Sequence, residues 1–184
     1  MVKVKWAISM NEIKTIWHWW WGWNPEKIED WLEEMEKDGW NLFKIDFNYL
    51  RFKFEKGEAR KIRYCVDYQN RVDDNYFEIL KEDGWELVGD NSIPWYMWRK
   101  SYENERPNIY TDVKSLMERN NRLLITVGIF LVLEIAIFSQ MFIHSSDEIG
   151  LVSIMFILII AFIGYITVQL YRYNKRLERT EIRL

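Results

Sequence analysis

The order of apolar and polar positions divides this chain in two. Over residues 123–143 (LLITVGIFLVLEIAIFSQMFI) and 149–171 (IGLVSIMFILIIAFIGYITVQLY) the chain is apolar on every helical face. Each run is just over the roughly 20 residues that a helix needs to cross a bilayer's hydrocarbon core. A buried helix of a soluble core would instead show one apolar stripe. The pattern therefore predicts two membrane spans, joined by the short segment HSSDE into a tight helical hairpin.

Before residue 104 the pattern changes to short alternating and helical periods, and it repeats. EEMEKDGWNL at 33–42 returns as EILKEDGWEL at 78–87, an offset of 45 residues. Repeats set the fold and are read first. Each copy reads strand, helix, strand, strand. In the first copy a strand is predicted over 15–23. Asn24 suits the N-cap of the following helix and Pro25 its first position. Ile28, Trp31, Leu32 and Met35 form an i, i+3, i+4, i+7 stripe, and Gly39 ends the helix. Strands follow over 41–47 and 49–54. The second copy has a strand over 61–68, a helix over 74–83 closed by Gly84, and strands over 86–89 and 95–100.

The expected architecture is α+β: a duplicated strand-helix-strand-strand domain followed by a transmembrane α-helical hairpin. The parts are an extension (1–14), the duplicated domain (15–103), a linker and juxtamembrane helix (104–122), the hairpin (123–171) and a basic tail (172–184). Thr111 is expected to cap a helix that runs on into the first span.

Strand side chains alternate between faces. Trp17, Trp19, Trp21 and Trp23 then share one face, matched by Ile62, Tyr64, Val66 and Tyr68 in the second copy. These read as core beneath the helices. The other face carries His18, Trp20 and Gly22, matched by Arg63, Cys65 and Asp67. In the last strands Tyr96 and Trp98 point inward with Leu50 and Phe52, while Trp95 and Met97 align with Tyr49 and Arg51. An open sheet face is thus expected to gather Trp20, Tyr49, Arg51, Arg63, Cys65, Asp67, Trp95 and Met97. Exposed aromatic surface with a few polar groups suits a ligand or a protein partner. Its competing occupants are residues 2–8 and another subunit.

Composition sharpens this division. All 11 tryptophans lie between Trp6 and Trp98, whereas the later apolar residues are mostly aliphatic. The net charge of −3 offers no concentrated basic face, so direct nucleic-acid binding is not expected. The single cysteine, Cys65, excludes an intrachain disulfide. His18 and His144 are predicted on opposite sides of the membrane, so neither joins Cys65 in a metal site. No phosphate-binding glycine motif is present. The acids of DWLEEMEKDGW are spaced as a solvated helix face. No catalytic residue, metal or cofactor is therefore assigned, and the chain does not read as an enzyme.

Orientation follows from the flanking charges. Lys114, Arg119 and Arg122 precede the first span, and Arg172, Lys175, Arg176, Arg179 and Arg183 follow the second. The linker carries Asp147 and Glu148 but no Lys or Arg. The positive-inside rule then places both termini in the cytoplasm. Glu134, in the middle of the first span, is the candidate membrane polar site. A carboxylate there costs roughly 2.5–3.5 kcal/mol and should face protein. It reads either as an ion or proton site or as a hydrogen-bonding group within a homo-oligomer.

The run WHWWWGWNPEKIEDWLEEMEKDGWNL, with YLRFKFEKGEARKIRYCVDYQ, YFEILKEDGWELVGD and WYMWRK, resembles the domain of unknown function 2812 over about residues 15–100. The resemblance implies a bacterial protein with C-terminal spans, encoded beside PadR-type transcription regulators. It implies no catalytic residues. The duplicated arrangement also resembles drug-binding GyrI-like domains, which bind ligands on a concave sheet face. The implied function is a membrane-anchored, non-enzymatic regulator or sensor in the bacterial cytoplasmic membrane. Its partners would be membrane lipid and a PadR-type regulator or a small apolar ligand. The rival is an oligomeric channel, transporter-accessory or immunity protein working through the hairpin.

Overall fold

The computed structural model describes residues 12–88, 94–110, 112–144 and 150–181. It has two compact units. The first holds the described residues up to Trp21, with Pro25–Asp67 and Val72–Ile109. Its elements are β1 (Ile13–Trp17), α1 (Glu26–Lys37), β2 (Trp40–Asp46), β3 (Arg51–Lys56), β4 (Ile62–Tyr68), α2 (Asp74–Glu82), β5 (Glu86–Val88) and β6 (Trp95–Ser101). This is strand, helix, strand, strand, twice over. The strands form two antiparallel three-stranded sheets, ordered β1-β3-β2 and β4-β6-β5. In both, the last strand of the repeat is central.

Both helices end on a glycine in the left-handed region, Gly39 (φ 75°) and Gly84 (φ 84°), as the two GW corners predict. The start of α1 differs from expectation, whereas α2 begins at Asp74 as expected. Pro25, not Asn24, is the N-cap of α1, and its carbonyl accepts from Ile28 N and Glu29 N. Asp73 caps α2, accepting from Tyr76 N at 3.0 Å.

β1 corrects the sequence reading most. It stops at Trp17, opposite Arg51, the first residue of β3. One further bond, His18 N to Leu50 O, closes the ladder. Before Arg51 the partner chain turns away through Phe47, Asn48 and Tyr49, all at positive φ. Among the described residues no strand includes 19–23, and the two-residue alternation does not apply to them. Trp17 (61% exposed), Trp19 (63%) and Trp21 (38%) are not core. The 45-residue offset also fails before the helices, because α1 has 12 residues and α2 only 9.

The second sheet is covered on both faces. Ile62, Tyr64 and Val66 of β4 and Met97 of β6 enter a core with Ile28, Leu32 and Met35 of α1 and Phe52 and Phe54 of β3. Cys65, Tyr96 and Trp98 enter a second core with Leu80 of α2 and Trp85. All seven residues of β4 are buried. The open sheet face expected above is filled with protein. Residues 2–8, one candidate cover for it, lie outside the described residues.

The second unit comprises the described residues from Tyr110 onward with Gly22–Asn24 and Tyr68–Arg71. Its helices are α3 (Val113–His144) and α4 (Leu151–Glu181). Asp112 holds the start of α3, accepting from Ser115 N at 2.7 Å. Thr111, expected in that role, lies outside the described residues, as do residues 145–149, which include all of the expected linker HSSDE except His144, the last residue of α3. α3 does run unbroken into the apolar stretch.

The hairpin packs along one seam. Asn120, Leu124, Val127, Leu131, Glu134, Phe138 and Met141 are among the less exposed residues of α3, spaced alternately by four and three. On α4 the same spacing links Ser153, Phe156, Ile160, Ile163, Thr167, Leu170 and Asn174. This is the period of a coiled-coil seam. Two contacts fix its register: Asn120 Nδ2 donates to Asn174 Oδ1 at 3.0 Å, and the Phe138 and Phe156 rings lie 6.2 Å apart. The remaining faces expose aliphatic side chains such as Ile129, Leu133, Ile137 and Leu158. Both helices are long and apolar enough to span a membrane.

The two corner glycines make a paired prediction. A Cβ on Gly39 would sit 2.7 Å from Gly57 O, whereas one on Gly84 meets only Lys100 Cε at 3.7 Å. Gly84→Ala should cost about 1 kcal/mol from the left-handed backbone alone. Gly39→Ala should cost at least twice that, read as the difference in unfolding midpoint between the purified variants. Equal costs would refute the steric account.

Candidate functional site

The eight residues assigned to one sheet face separate into four places. Trp20, Tyr49, Trp95 and Met97 form a corner of the first core. Trp20 Nε1 donates to Tyr49 O at 2.9 Å, and its ring meets Trp95 edge-on at 5.2 Å. Tyr49 Oη donates to Trp95 O at 3.3 Å. Cys65 and Asp67 belong beside α2. Asp67 accepts from Tyr76 Oη at 2.8 Å, which accepts from Trp98 Nε1 at 3.0 Å. The Cys65 thiol donates to Asn108 Oδ1 at 3.4 Å, and burial pushes it up to about 12. Arg63 faces α1, and Arg51 alone reaches the outer face of the first sheet.

Arg63 leads to a feature the sequence reading misplaced. Glu29, Glu33 and Glu36 are buried, not solvated. Their i, i+4, i+7 spacing puts them on one flank of α1, against β4. Arg63 Nη2 donates to Glu29 at 2.9 Å and Nη1 to Glu33 at 2.8 Å. Glu29 also accepts from Val66 N at 2.8 Å. Arg106 adds bonds to Glu33 (2.8 Å) and Asp30 (2.6 Å). Glu36 accepts from Arg60 Nε (2.6 Å), Tyr64 Oη (2.7 Å), Leu42 N (3.0 Å) and Asn41 Nδ2 (3.1 Å). Buried carboxylates require such partners. Burial, and after it the Glu36 carboxylate that accepts its hydrogen bond, hold the Tyr64 hydroxyl well above its usual range. With their oxygens committed to protein donors, these acids tie the first repeat to the second. The signal in the sequence was the 29, 33, 36 spacing, which is that of a second packed stripe as much as of a wet one.

The exposed chemistry lies on the outer face of the first sheet. Trp17 and Phe47 (58% exposed) stand 5.2 Å apart between ring centroids. The Arg51 guanidinium lies 4.2 Å from the Phe47 ring and 5.5 Å from Trp17. Asp46 orients it through two bonds, that from Nη2 at 2.6 Å, and this pairing holds the Asp46 carboxyl below its usual range. The left-handed turn 47–49 presents Phe47 here while burying Tyr49. Three consecutive non-glycine residues at positive φ are uncommon and strained. Among the described residues no cluster of His, Cys, Asp and Glu could hold a metal.

Glu134 lies on the seam of the hairpin. The register set by Asn120–Asn174 and Phe138–Phe156 brings it level with Ile160, an apolar neighbour.

Two measurements follow. Arg63→Ala leaves buried acids under-compensated and should cost about 3–5 kcal/mol. Arg106→Ala removes a half-exposed partner and should cost under about 1 kcal/mol. Tryptophan fluorescence during chemical unfolding reads both, and equal losses would contradict the buried tie. Alkaline pH should also destabilise the protein. The unfolded chain releases the Cys65 proton near 9.0 and the folded chain holds it to about 12. Tyr64 and Tyr76 are raised likewise from 10.0. The folded state then binds more protons, so stability is complete below about pH 9 and falls as pH rises towards 12. A melting temperature that climbs over that range would overturn this assignment.

No curated protein and no solved structure matches this chain. The match to a family model runs from Asn24, later than the resemblance placed it, through both repeats and into α3. It covers residues 24–132, more than half of the chain, and so the chain belongs to the family described as "Protein of unknown function (DUF2812)".

Proposed function

We propose that this chain is a membrane-anchored, non-enzymatic regulatory or sensor protein whose cytoplasmic aromatic domain docks a protein partner. The observation that carries this reading is the patch of Trp17, Phe47 and Arg51. Aromatic residues and arginine are the side chains over-represented where binding energy concentrates. The Arg51 head is already oriented by Asp46, which lowers the ordering cost on association. A strained turn that lifts Phe47 into solvent also suits a recognition surface.

The partner we assign is a PadR-type transcription regulator, as the family resemblance implies. The competing occupant, a small apolar ligand, finds less support. The face assigned to it is packed with protein, and a cavity of about 440 Å³ beside β6 is lined by Arg60, Lys61, Glu86, Arg99 and Lys100. Apolar ligands select apolar walls. The two helices anchor the domain, with both termini on the basic, cytoplasmic side.

The rival reading puts the function in the hairpin, through Glu134. One experiment separates the two. Full-length protein in lipid nanodiscs is titrated with a PadR-type regulator from the same host. Trp17→Ala with Phe47→Ala should weaken binding by roughly tenfold or more. Glu134→Gln should leave it unchanged. Absence of binding, or loss only from Glu134→Gln, would sink the docking assignment.

A further inference from the structure

The tryptophans beyond β1 remain to be explained. Trp19 and Trp21 follow the last ladder bond, are solvent-exposed, and touch each other edge-on at 5.4 Å. They are not core, and they lie outside the Trp17–Phe47–Arg51 patch. Exposed large aromatic side chains this close in sequence mark an interaction surface.

Trp23, two residues on, indicates which surface. It belongs to the second unit, where its ring meets Tyr165 of α4 edge-on at 5.9 Å. Tyr165 marks a transition along α4. Towards the linker, LVSIMFILIIAF (151–162) holds one polar residue, Ser153. In the other direction Thr167, Gln169 and Arg172 follow within two turns. α3 changes at nearly the same level of the hairpin. Thr126 accepts from Asn70 Nδ2 at 3.2 Å, and Arg122 Nε donates to Tyr68 O at 3.0 Å. In a membrane helix this transition is the headgroup level, where Trp and Tyr concentrate because the indole is apolar in body and polar at one edge. The covalent chain keeps the Trp21 and Trp19 backbones within about 7 and 14 Å of Trp23.

We infer that residues 19–23 form an interfacial anchor, with the indoles of Trp19, Trp21 and Trp23 seated among lipid headgroups beside the second span. The inference rests on the membrane reading of α3 and α4. It assigns the Trp-rich segment a lipid partner and leaves Trp17 to the protein-docking patch.

Fluorine NMR tests it on full-length protein carrying fluorotryptophan, in nanodiscs of phosphatidylcholine with a minor share of phosphatidylglycerol. Trp19→Phe and Trp21→Phe assign the two signals. A lipid with a nitroxide headgroup should abolish both, while the buried Trp85 signal persists. Phe130→Trp, in the apolar part of α3, reports the membrane reading through a lipid with a mid-chain nitroxide. If Phe130→Trp loses its signal but Trp19 and Trp21 respond only to a water-soluble gadolinium chelate, the spans stand and the anchor is refuted. Protection of Trp19 and Trp21 from both probes would also refute it, in favour of a protein occupant. A Phe130→Trp signal untouched by lipid probes would remove the membrane reading and the anchor together.

Discussion

The aromatic domain depends on three glutamates buried along one flank of α1. Each would be strongly destabilising alone, since a carboxylate leaves water only when its charge and lone pairs are met. Here the donors come from elsewhere in the chain: Arg60, Arg63, Tyr64 and the Val66 amide around β4, and Arg106 beyond β6. The first repeat supplies the acids and the second supplies most of the donors. Apolar packing is tolerant of small slides, but a carboxylate bonded to several fixed donors is not. The network therefore sets the position of α1 against β4, and with it the core shared by the two sheets.

With α1 on one side of the second sheet and α2 on the other, both faces of that sheet are packed with protein. The surface chemistry moves to the outer face of the first sheet. There β3 pairs with both neighbours, and its far face meets solvent with Arg51 and Lys53. The left-handed turn 47–49 separates two roles in adjacent residues. It sends Tyr49 inward to Trp20 and Trp95 and holds Phe47 outward against Arg51.

The hairpin follows a different logic. Its apolar residues give little discrimination between registers, because one aliphatic side chain is much like another as a neighbour. The Asn120–Asn174 pair, extended by Asn174 Nδ2 to Asn121 at 2.7 Å, supplies a directional bond at one end of the seam. A single polar position of this kind fixes register in coiled coils. Glu134 lies on the same seam, among the half-buried positions of α3.

Much of the fold was legible in the residues. The duplicated DGW corners located both helix ends, because only glycine accepts that backbone turn readily. The uninterrupted apolar runs identified both long helices, because length and hydropathy are local quantities. The candidate site was hardly legible. Whether Trp19 continues a strand depends on a partner, and β3 bends away through a turn that FNY does not announce. Whether Glu29, Glu33 and Glu36 are wet or buried depends on Arg60, Arg63 and Arg106, which lie 24 to 77 residues further along. Periodicity reports which residues share a face of their own element. It cannot report what that face meets, because burial is a property of the neighbour, and only the tertiary structure brings the neighbour there.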